Sequence, residues 1–169
     1  YIAIILKYSV VKKNTICFCL FFLSIISLGQ SQELDQKKKV TDKDFKYEFY
    51  VTKKRPVIKD KKVYYWFKGG TIHASEGGDS GELLDGVFEK FYLNNQLAEK
   101  GRFRKGLKIG VWKTWHSNGN VKTQCYWNNG RKNGSFYQYD ESGVLIEKGR
   151  FTKDKRQGNN GNQKIRIIQ

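Results

Sequence analysis

The chain of 169 residues has a formal net charge of +16, and 15% of its residues are aromatic. This aromatic content argues against a disordered tail protein, and a single proline with no Gly-X-Y period excludes a collagen-like chain. Three cysteines are too few for a disulfide scaffold. The length predicts one folded domain, and the charge favours anionic partners.

The N-terminal residues predict a secretory signal peptide. Residues 16–28 are all apolar or serine, and they follow Lys12 and Lys13. This run is too short to span a hydrocarbon core, which needs about 20 residues. We expect residues 1–29 to comprise upstream residues and a leader cleaved after Gly29. The protein is then expected to be periplasmic or extracellular, either free or associated with the envelope. An uncleaved signal anchor and a buried helix of a cytosolic domain remain alternatives.

The next two segments precede the main repeat. Residues 30–43 lack periodicity and aromatic side chains, so we expect a mobile linker there. Residues 44–85 are expected to hold N-terminal strands, the first of them over residues 45–51. A hairpin over residues 63–75, with its turn at Gly69-Gly70, is interpreted as an atypical first repeat.

A 24-residue period occupies the second half of the chain. An aromatic residue stands two and five positions after each starting glycine, another stands at offset 17, and a base stands at offset 22. The period predicts three repeats over residues 86–109, 110–133 and 134–157, followed by a tail over residues 159–169. The glycines that set the period are Gly86, Gly110, Gly134 and Gly158.

Each repeat has the pattern of two strands joined by a tight turn. A glycine or asparagine interrupts the chain about every ten residues, which disfavours helices. One hairpin is marginal in water, so the hairpins must stack edge to edge. We therefore predict an all-β fold, an elongated open antiparallel sheet. The aromatics at offsets two and five point to opposite faces unless a bulge intervenes.

The repeat resembles a known family. The motif Gly-x-aromatic-x-x-aromatic, the Asn-Gly turn and the Gly-Arg-Lys-Asn-Gly segment at 130–134 are similar to the MORN repeat variant of the YwqK-type antitoxin-component family. Residues 67–70, followed by 80–86, also resemble exported members from Bacteroidetes-like bacteria. The resemblance implies a binding module with an open hairpin sheet. An antitoxin against an intracellular toxin is not expected to carry an export signal.

One short segment has a similarity to a catalytic motif. Residues 78–81, Gly-Asp-Ser-Gly, match four letters of the trypsin-like nucleophile motif, but Glu82 follows where that motif has glycine. A triad requires a base, an orienting group and oxyanion donors, and His73 precedes Ser80 by only seven residues. We interpret the segment as a glycine-rich turn and predict no catalytic residues.

The sequence predicts no metal site. His73, His116 and Cys125 do not form a set with the spacing of zinc ligands. Glu99 and Glu147 occupy matching positions in two repeats but form no acid/base pair. We therefore expect no metal, no cofactor and no small-molecule substrate.

Basic residues fill the connections between the repeats. Stacking of the repeats predicts a stripe along one edge of the sheet, which could attract anionic lipid, lipopolysaccharide, nucleic acid or an acidic protein. Nucleic acid is the least expected because the chain carries an export signal. Alternatively, these edge bases only block aggregation of sheets. The stripe consists of Lys105, Lys108, Arg131, Lys132, Lys153, Lys155 and Arg156.

Three tryptophans belong to the central repeat. Trp112, Trp115 and Trp127 are candidates for a surface that stacks on carbohydrate or peptide, or they form the core. Together these patterns predict a non-enzymatic repeat scaffold that binds a protein or an anionic envelope surface. The alternative is an antitoxin or immunity protein that neutralises a cognate toxin.

Overall fold

The computed structural model describes residues 36–157, which contain 11 β-strands in one sheet. The predicted leader over 1–29 and the predicted tail over 159–169 lie outside these residues. Within 36–157 there is no helix long and apolar enough to cross a membrane. The strands are β1 (Gln36–Thr41), β2 (Phe45–Thr52), β3 (Val63–Lys68), β4 (Thr71–Glu76), β5 (Glu82–Tyr92), β6 (Leu97–Arg104), β7 (Leu107–Trp115), β8 (Val121–Asn128), β9 (Arg131–Tyr139), β10 (Leu145–Thr152) and β11 (Lys155–Gln157).

The sheet is antiparallel and follows chain order over most of its width. The order is β1-β2-β5-β6-β7-β8-β9-β10-β11, with β3 paired to β4 and to the first residues of β5. Every strand from β6 to β11 pairs with the strand that precedes it in the chain. This arrangement confirms the predicted all-β fold, an open antiparallel sheet of consecutive hairpins.

Strand β1 occupies part of the predicted mobile linker over residues 30–43. It pairs with β2 along its full length, from Gln36 opposite Val51 to Thr41 opposite Lys46. The Glu48 carboxylate oxygens form ion pairs with the Lys37 ammonium at 2.6 Å and the Lys39 ammonium at 2.8 Å. Backbone pairing with β2, supported by cross-strand ion pairs, therefore forms a strand that has too few apolar residues for its pattern to predict.

Two-residue turns join β6 to β7, β8 to β9 and β10 to β11. Both central residues of each turn have positive φ, as a type I′ turn requires. The second turn residue also donates its backbone N–H to a carbonyl 22 residues earlier, and this bond recurs in all three turns. The turns are Lys105-Gly106, Asn129-Gly130 and Lys153-Asp154, and the acceptors are Leu84, Lys108 and Lys132.

A second link between repeats comes from side chains at the other end of the hairpins. The Tyr92 hydroxyl donates to the Trp115 carbonyl at 2.9 Å. One repeat later, His116 Nε2 lies 3.1 Å from the Tyr139 carbonyl. Each repeat is therefore bonded to the next at both ends of its strands.

The aromatic side chains at offset two are buried, whereas those at offset five lie beside a register shift of the sheet. Phe88, Trp112 and Phe136, at offset two, are buried at 6%, 4% and 9% exposure. The ladder shifts register beside the offset-five residue in all three repeats, on the partner strand. The offset-five aromatic therefore lies at a bulge, outside the buried row that the offset-two residues form.

The larger of two buried clusters lies on one side of this sheet, which we call the aromatic face. This cluster consists of Phe49, Val51, Leu84, Phe88, Phe103 and Trp112. Phe88 pairs with Gly101, and Phe136 pairs with Gly149. Large rings at offset two therefore face glycines on the neighbouring strand.

The hairpin of β3 and β4 lies beside the start of β5 instead of taking a place in the row of repeats. Tyr65 and Phe67 pack against the aromatic face. Their neighbour Tyr64 is 1% exposed and packs with Leu83 and Leu107 in a second cluster. The hairpin therefore closes the N-terminal end of the repeat array with apolar contacts on two sides.

Candidate binding groove on the aromatic face

Rings and bases alternate along one row of the aromatic face. The offset-17 aromatic of each repeat pairs directly with the offset-22 base on the next strand. Because paired residues point to the same face, each base lies over the rings instead of reaching the edge of the sheet. The row runs Phe103, Lys108, Trp127, Lys132, Phe151 and Arg156.

Lys108 is the most enclosed of these bases. Its ammonium lies 3.8 Å from the Trp112 ring centroid and 5.3 Å from those of Tyr65 and Trp127. Its side chain is 15% exposed, and it forms an ion pair of 3.2 Å with Glu99. Burial lowers the pKa of Lys108, and the Glu99 carboxylate opposes that shift.

Lys132 and Arg156 also lie over aromatic rings, but only Arg156 forms an ion pair with a glutamate as Lys108 does. Lys132 Nζ lies 5.8 Å from the Trp127 ring centroid and 5.1 Å from that of Phe151. The Arg156 guanidinium lies 5.0 Å from the Phe136 ring centroid and forms an ion pair with Glu147. All three bases are therefore within the range of cation–π attraction.

A groove of about 360 Å³ runs between these bases, and we call it the central groove. Its polar wall includes the hydroxyls of Thr114 and Thr123, whose oxygens are 2.6 Å apart. Cys125 also lines it, and burial raises the pKa of this thiol while Lys132 and Lys108 lower it. The groove offers cations, ring faces, hydroxyls and the carboxylates of Glu99 and Glu147. Its other main lining residues are Lys108, Trp127, Lys132, Phe136, Phe151 and Arg156.

A second cleft, of about 420 Å³, lies where the β3–β4 hairpin meets the aromatic face. Lys90, which lines it, has its ammonium 3.6 Å from the Phe45 ring centroid. The Tyr47 hydroxyl donates to Asp42 at 2.9 Å. Burial, followed by this bond to Asp42, raises the pKa of Tyr47 to about 12. The phenol therefore remains a neutral donor at physiological pH.

The three predicted tryptophans have different surroundings. Trp112 is 4% exposed and belongs to the core, although it also lines both cavities. Its indole N–H has no acceptor among the described residues. Trp127 lines the central groove, whereas Trp115 lies at a bulge at the end of β7. The structure therefore places Trp127 and the edge of Trp112 in the groove, without Trp115.

The predicted basic stripe divides into two groups, which corrects its placement along one edge. Lys105 and Lys153 occupy matching turns, Arg131 lies beside a turn and 3.8 Å from Asp154, and Lys155 begins β11. The other three bases lie over the rings of the aromatic face. The type I′ turns cause this division because they fix the register that pairs offset 17 with offset 22. The bases on the face are Lys108, Lys132 and Arg156.

Sequence reasoning missed the residues that oppose these bases. Glu99 and Glu147 had matching repeat positions, but that spacing alone did not show that each contacts a base nine residues later. Thr123 occupies the same position in the central repeat. The sequence shows that this repeat position holds glutamate, threonine and glutamate in turn. Only the pairing of the strands shows that the residue at this position lies beside the base.

Within residues 36–157, no three His, Cys, Asp or Glu side chains are grouped to hold a metal ion. The segment Gly78-Asp79-Ser80-Gly81 forms a connection before β5, and the Ser75 hydroxyl donates to the Gly78 carbonyl at 2.7 Å. Asp79 forms an ion pair with Arg55. The carboxylate of this motif therefore contributes to the connection between strands.

Removing the carboxylate beside Lys108 tests the electrostatics of the groove. In the variant Glu99→Gln we expect the pKa of Lys108 to fall further below its ordinary value, because burial remains and the opposing charge is lost. NMR titration of the lysine Cε signals measures this shift. Glu89→Gln is the matched control, because its partner Lys100 has a side chain that is 51% exposed. An unchanged Lys108 pKa in Glu99→Gln would contradict the assigned contact.

A known family model matches the three repeats of the sheet. Residues 84–105, 108–129 and 132–153 match the family model of the MORN repeat variant, in three tandem copies with starts 24 residues apart. MORN repeats are generally non-catalytic repeat scaffolds for binding, commonly of proteins or membrane lipids. No curated protein and no solved structure matches the chain significantly.

Proposed function

We propose that this protein is a non-enzymatic scaffold that binds a protein partner through the central groove. The observation that carries the proposal is that most of the row of alternating rings and bases lines an open groove: Lys108, Trp127, Lys132, Phe151 and Arg156. Aromatic residues and desolvated cations dominate the binding energy of protein interfaces. A groove that combines both along a rigid sheet suits an extended or protruding segment of another protein.

An anionic envelope surface is the second candidate. Lys105 and Lys153 stand in matching turns at the same end of the strands, and Lys155, two residues after Lys153, is also exposed. Bases near a lipid surface contribute about 1 kcal/mol each to the attraction of anionic headgroups. This group is separate from the bases in the groove, so the two candidates predict different residues.

Export and antitoxin activity are further parts of the proposal. The signal peptide falls on residues 1–29 and stays a prediction from sequence. Neutralising a toxin would be one form of the protein binding proposed for the groove. A toxin gene beside the gene for this protein would favour that role, and mass spectrometry of the mature N-terminus would test the cleavage after Gly29.

Loss of one groove charge tests the proposed function. The partner is identified by pull-down from an envelope extract, purified, and titrated calorimetrically against variants. Lys132→Gln is expected to weaken binding by at least about tenfold, because a charge-assisted hydrogen bond contributes about 1.5–3 kcal/mol. Lys148→Gln removes the same charge from the opposite face of β10 and is expected to leave the affinity unchanged.

Two outcomes would count against the groove. Equal binding by the wild type and Lys132→Gln would remove it as the binding surface. Salt-sensitive binding to phosphatidylglycerol vesicles that depends on Lys105 and Lys153, with no protein partner retained, would favour the envelope surface instead.

A further inference from the structure

The three repeats differ in the residue that stands nine positions before each basic side chain of the groove. In the first and third repeats a glutamate stands nine residues before the base and forms an ion pair with it: Glu99 with Lys108 and Glu147 with Arg156. In the central repeat the residue nine positions before Lys132 is Thr123. The central repeat therefore lacks the carboxylate that its two neighbours place beside the base.

Lys132 is a cation without such a partner. No Asp or Glu oxygen within the described part of the chain forms an ion pair with its ammonium. The side chain is partly buried, with its ammonium within 6 Å of the ring centroids of Trp127 and Phe151. A partly buried cation over two rings still attracts an anion strongly, because the rings do not neutralise its charge.

Thr123 leaves room where its neighbours place a carboxylate. Threonine is shorter than glutamate, and the Thr123 hydroxyl is engaged with Thr114 across the strands at 2.6 Å. Both threonines and Lys132 line the central groove of about 360 Å³. An incoming carboxylate would meet the Lys132 ammonium with hydroxyl groups beside it.

We infer that the central repeat holds a carboxylate subsite, in which an acidic side chain of the protein partner binds Lys132. The carboxylate would occupy the place that Glu99 and Glu147 occupy in the flanking repeats. This inference rests on the proposed function, and it specifies the partner as one that presents an aspartate or glutamate to the groove.

The molecule itself favours a carboxylate on a protein side chain over a lipid phosphate. It shows the required contact twice, in each case with a carboxylate on a chain of glutamate length. The recipient base lies inside the groove between ring faces, whereas the bases exposed at the turns are those that a flat headgroup layer would reach. An extended peptide can direct one acidic side chain inward, and a bilayer surface cannot follow the groove.

Filling the subsite from within the chain tests the inference. The probe is a blocked hexapeptide that alternates glutamate with serine, titrated by Trp fluorescence, with a glutamine version as the reference peptide. Thr123→Glu supplies the missing internal carboxylate, so we expect its affinity for the glutamate peptide to fall by at least about tenfold. Thr123→Ser keeps the room open and adds no charge, and it is expected to bind within about twofold of the wild type.

Two further variants make the test specific. Thr152→Glu adds the same negative charge on the opposite face of β10, next to Phe151, and is expected to bind as the wild type does. Glu147→Thr removes the internal partner of Arg156 and is expected to raise the number of bound peptides from one to two. If circular dichroism shows that Thr123→Glu is not folded, Lys132→Gln is tested in its place and is expected to lose affinity for the glutamate peptide.

The outcomes separate this inference from the proposed function. If Thr123→Glu retains the peptide and the protein partner while Lys132→Gln loses the partner, the subsite is refuted and the scaffold stands. If neither change affects the partner, both fail. Equal binding of the glutamate and glutamine peptides, or binding of phosphatidylglycerol vesicles that Thr123→Glu abolishes, would also overturn the carboxylate assignment.

Discussion

Replacing Phe88 with alanine is expected to lower the free energy of unfolding by about 3–5 kcal/mol. Phe88 is 6% exposed, and its ring centroid lies 5.5 Å from that of Phe103 and 5.6 Å from that of Trp112. It joins the strands of the first repeat to the rings of the second. Alanine would leave a cavity lined by rings that the paired strands hold in place, so the site cannot collapse fully.

Urea unfolding followed by circular dichroism measures this loss. Ile146→Ala is the control, because Ile146 is 50% exposed and its removal from the opposite face is expected to cost much less. A Phe88→Ala protein as stable as Ile146→Ala would contradict a core that is shared between the first two repeats.

Adding a single methyl group at Gly101 is expected to destabilise the protein by about 1–3 kcal/mol. A Cβ atom at this position would overlap the indole ring of Trp112, which lies directly against the glycine backbone. The ring is 4% exposed and packs against Phe103 and Phe88, so it has little space to move. The variant must therefore displace a ring that is packed inside the buried cluster.

Gly78→Ala is the matched control for this second variant. A Cβ atom there meets nothing within 4 Å, and Gly78 does not have a positive φ, so the same substitution is expected to be nearly neutral. Both variants are compared by thermal and urea unfolding. Equal stability of Gly101→Ala and the wild type would show that the indole does not rest on Gly101.

The repeat architecture was predictable because the 24-residue period of the sequence coincides with the period of the hairpins. Glycines 24 residues apart and aromatics at fixed offsets mark the strands and turns, and the hairpins pair in chain order. Strand β1 was not predictable in this way. Its Lys37 and Lys39 are stabilised by Glu48 on the neighbouring strand, and a local pattern does not contain that contact.

The chemistry of the groove required the register of the sheet. Lys108 was recognised as a repeated base, but its position over Trp112 depends on the type I′ turn at Lys105-Gly106. Asn129-Gly130 is a typical sequence for that turn, whereas Lys153-Asp154 is not. Sequence reasoning therefore found which residues repeat and could not decide on which face they meet.

The paired links between repeats have a consequence for how such a groove changes in size. Each unit is joined to the next by the same backbone bond at the turn and by a side-chain bond at the opposite end, as Tyr92 makes to Trp115. A unit can therefore be added or removed without altering the contacts of its neighbours. If the groove binds a segment of another protein as proposed, the length of that segment is counted in whole repeats. The choice between an internal glutamate and an open threonine can be made separately in each.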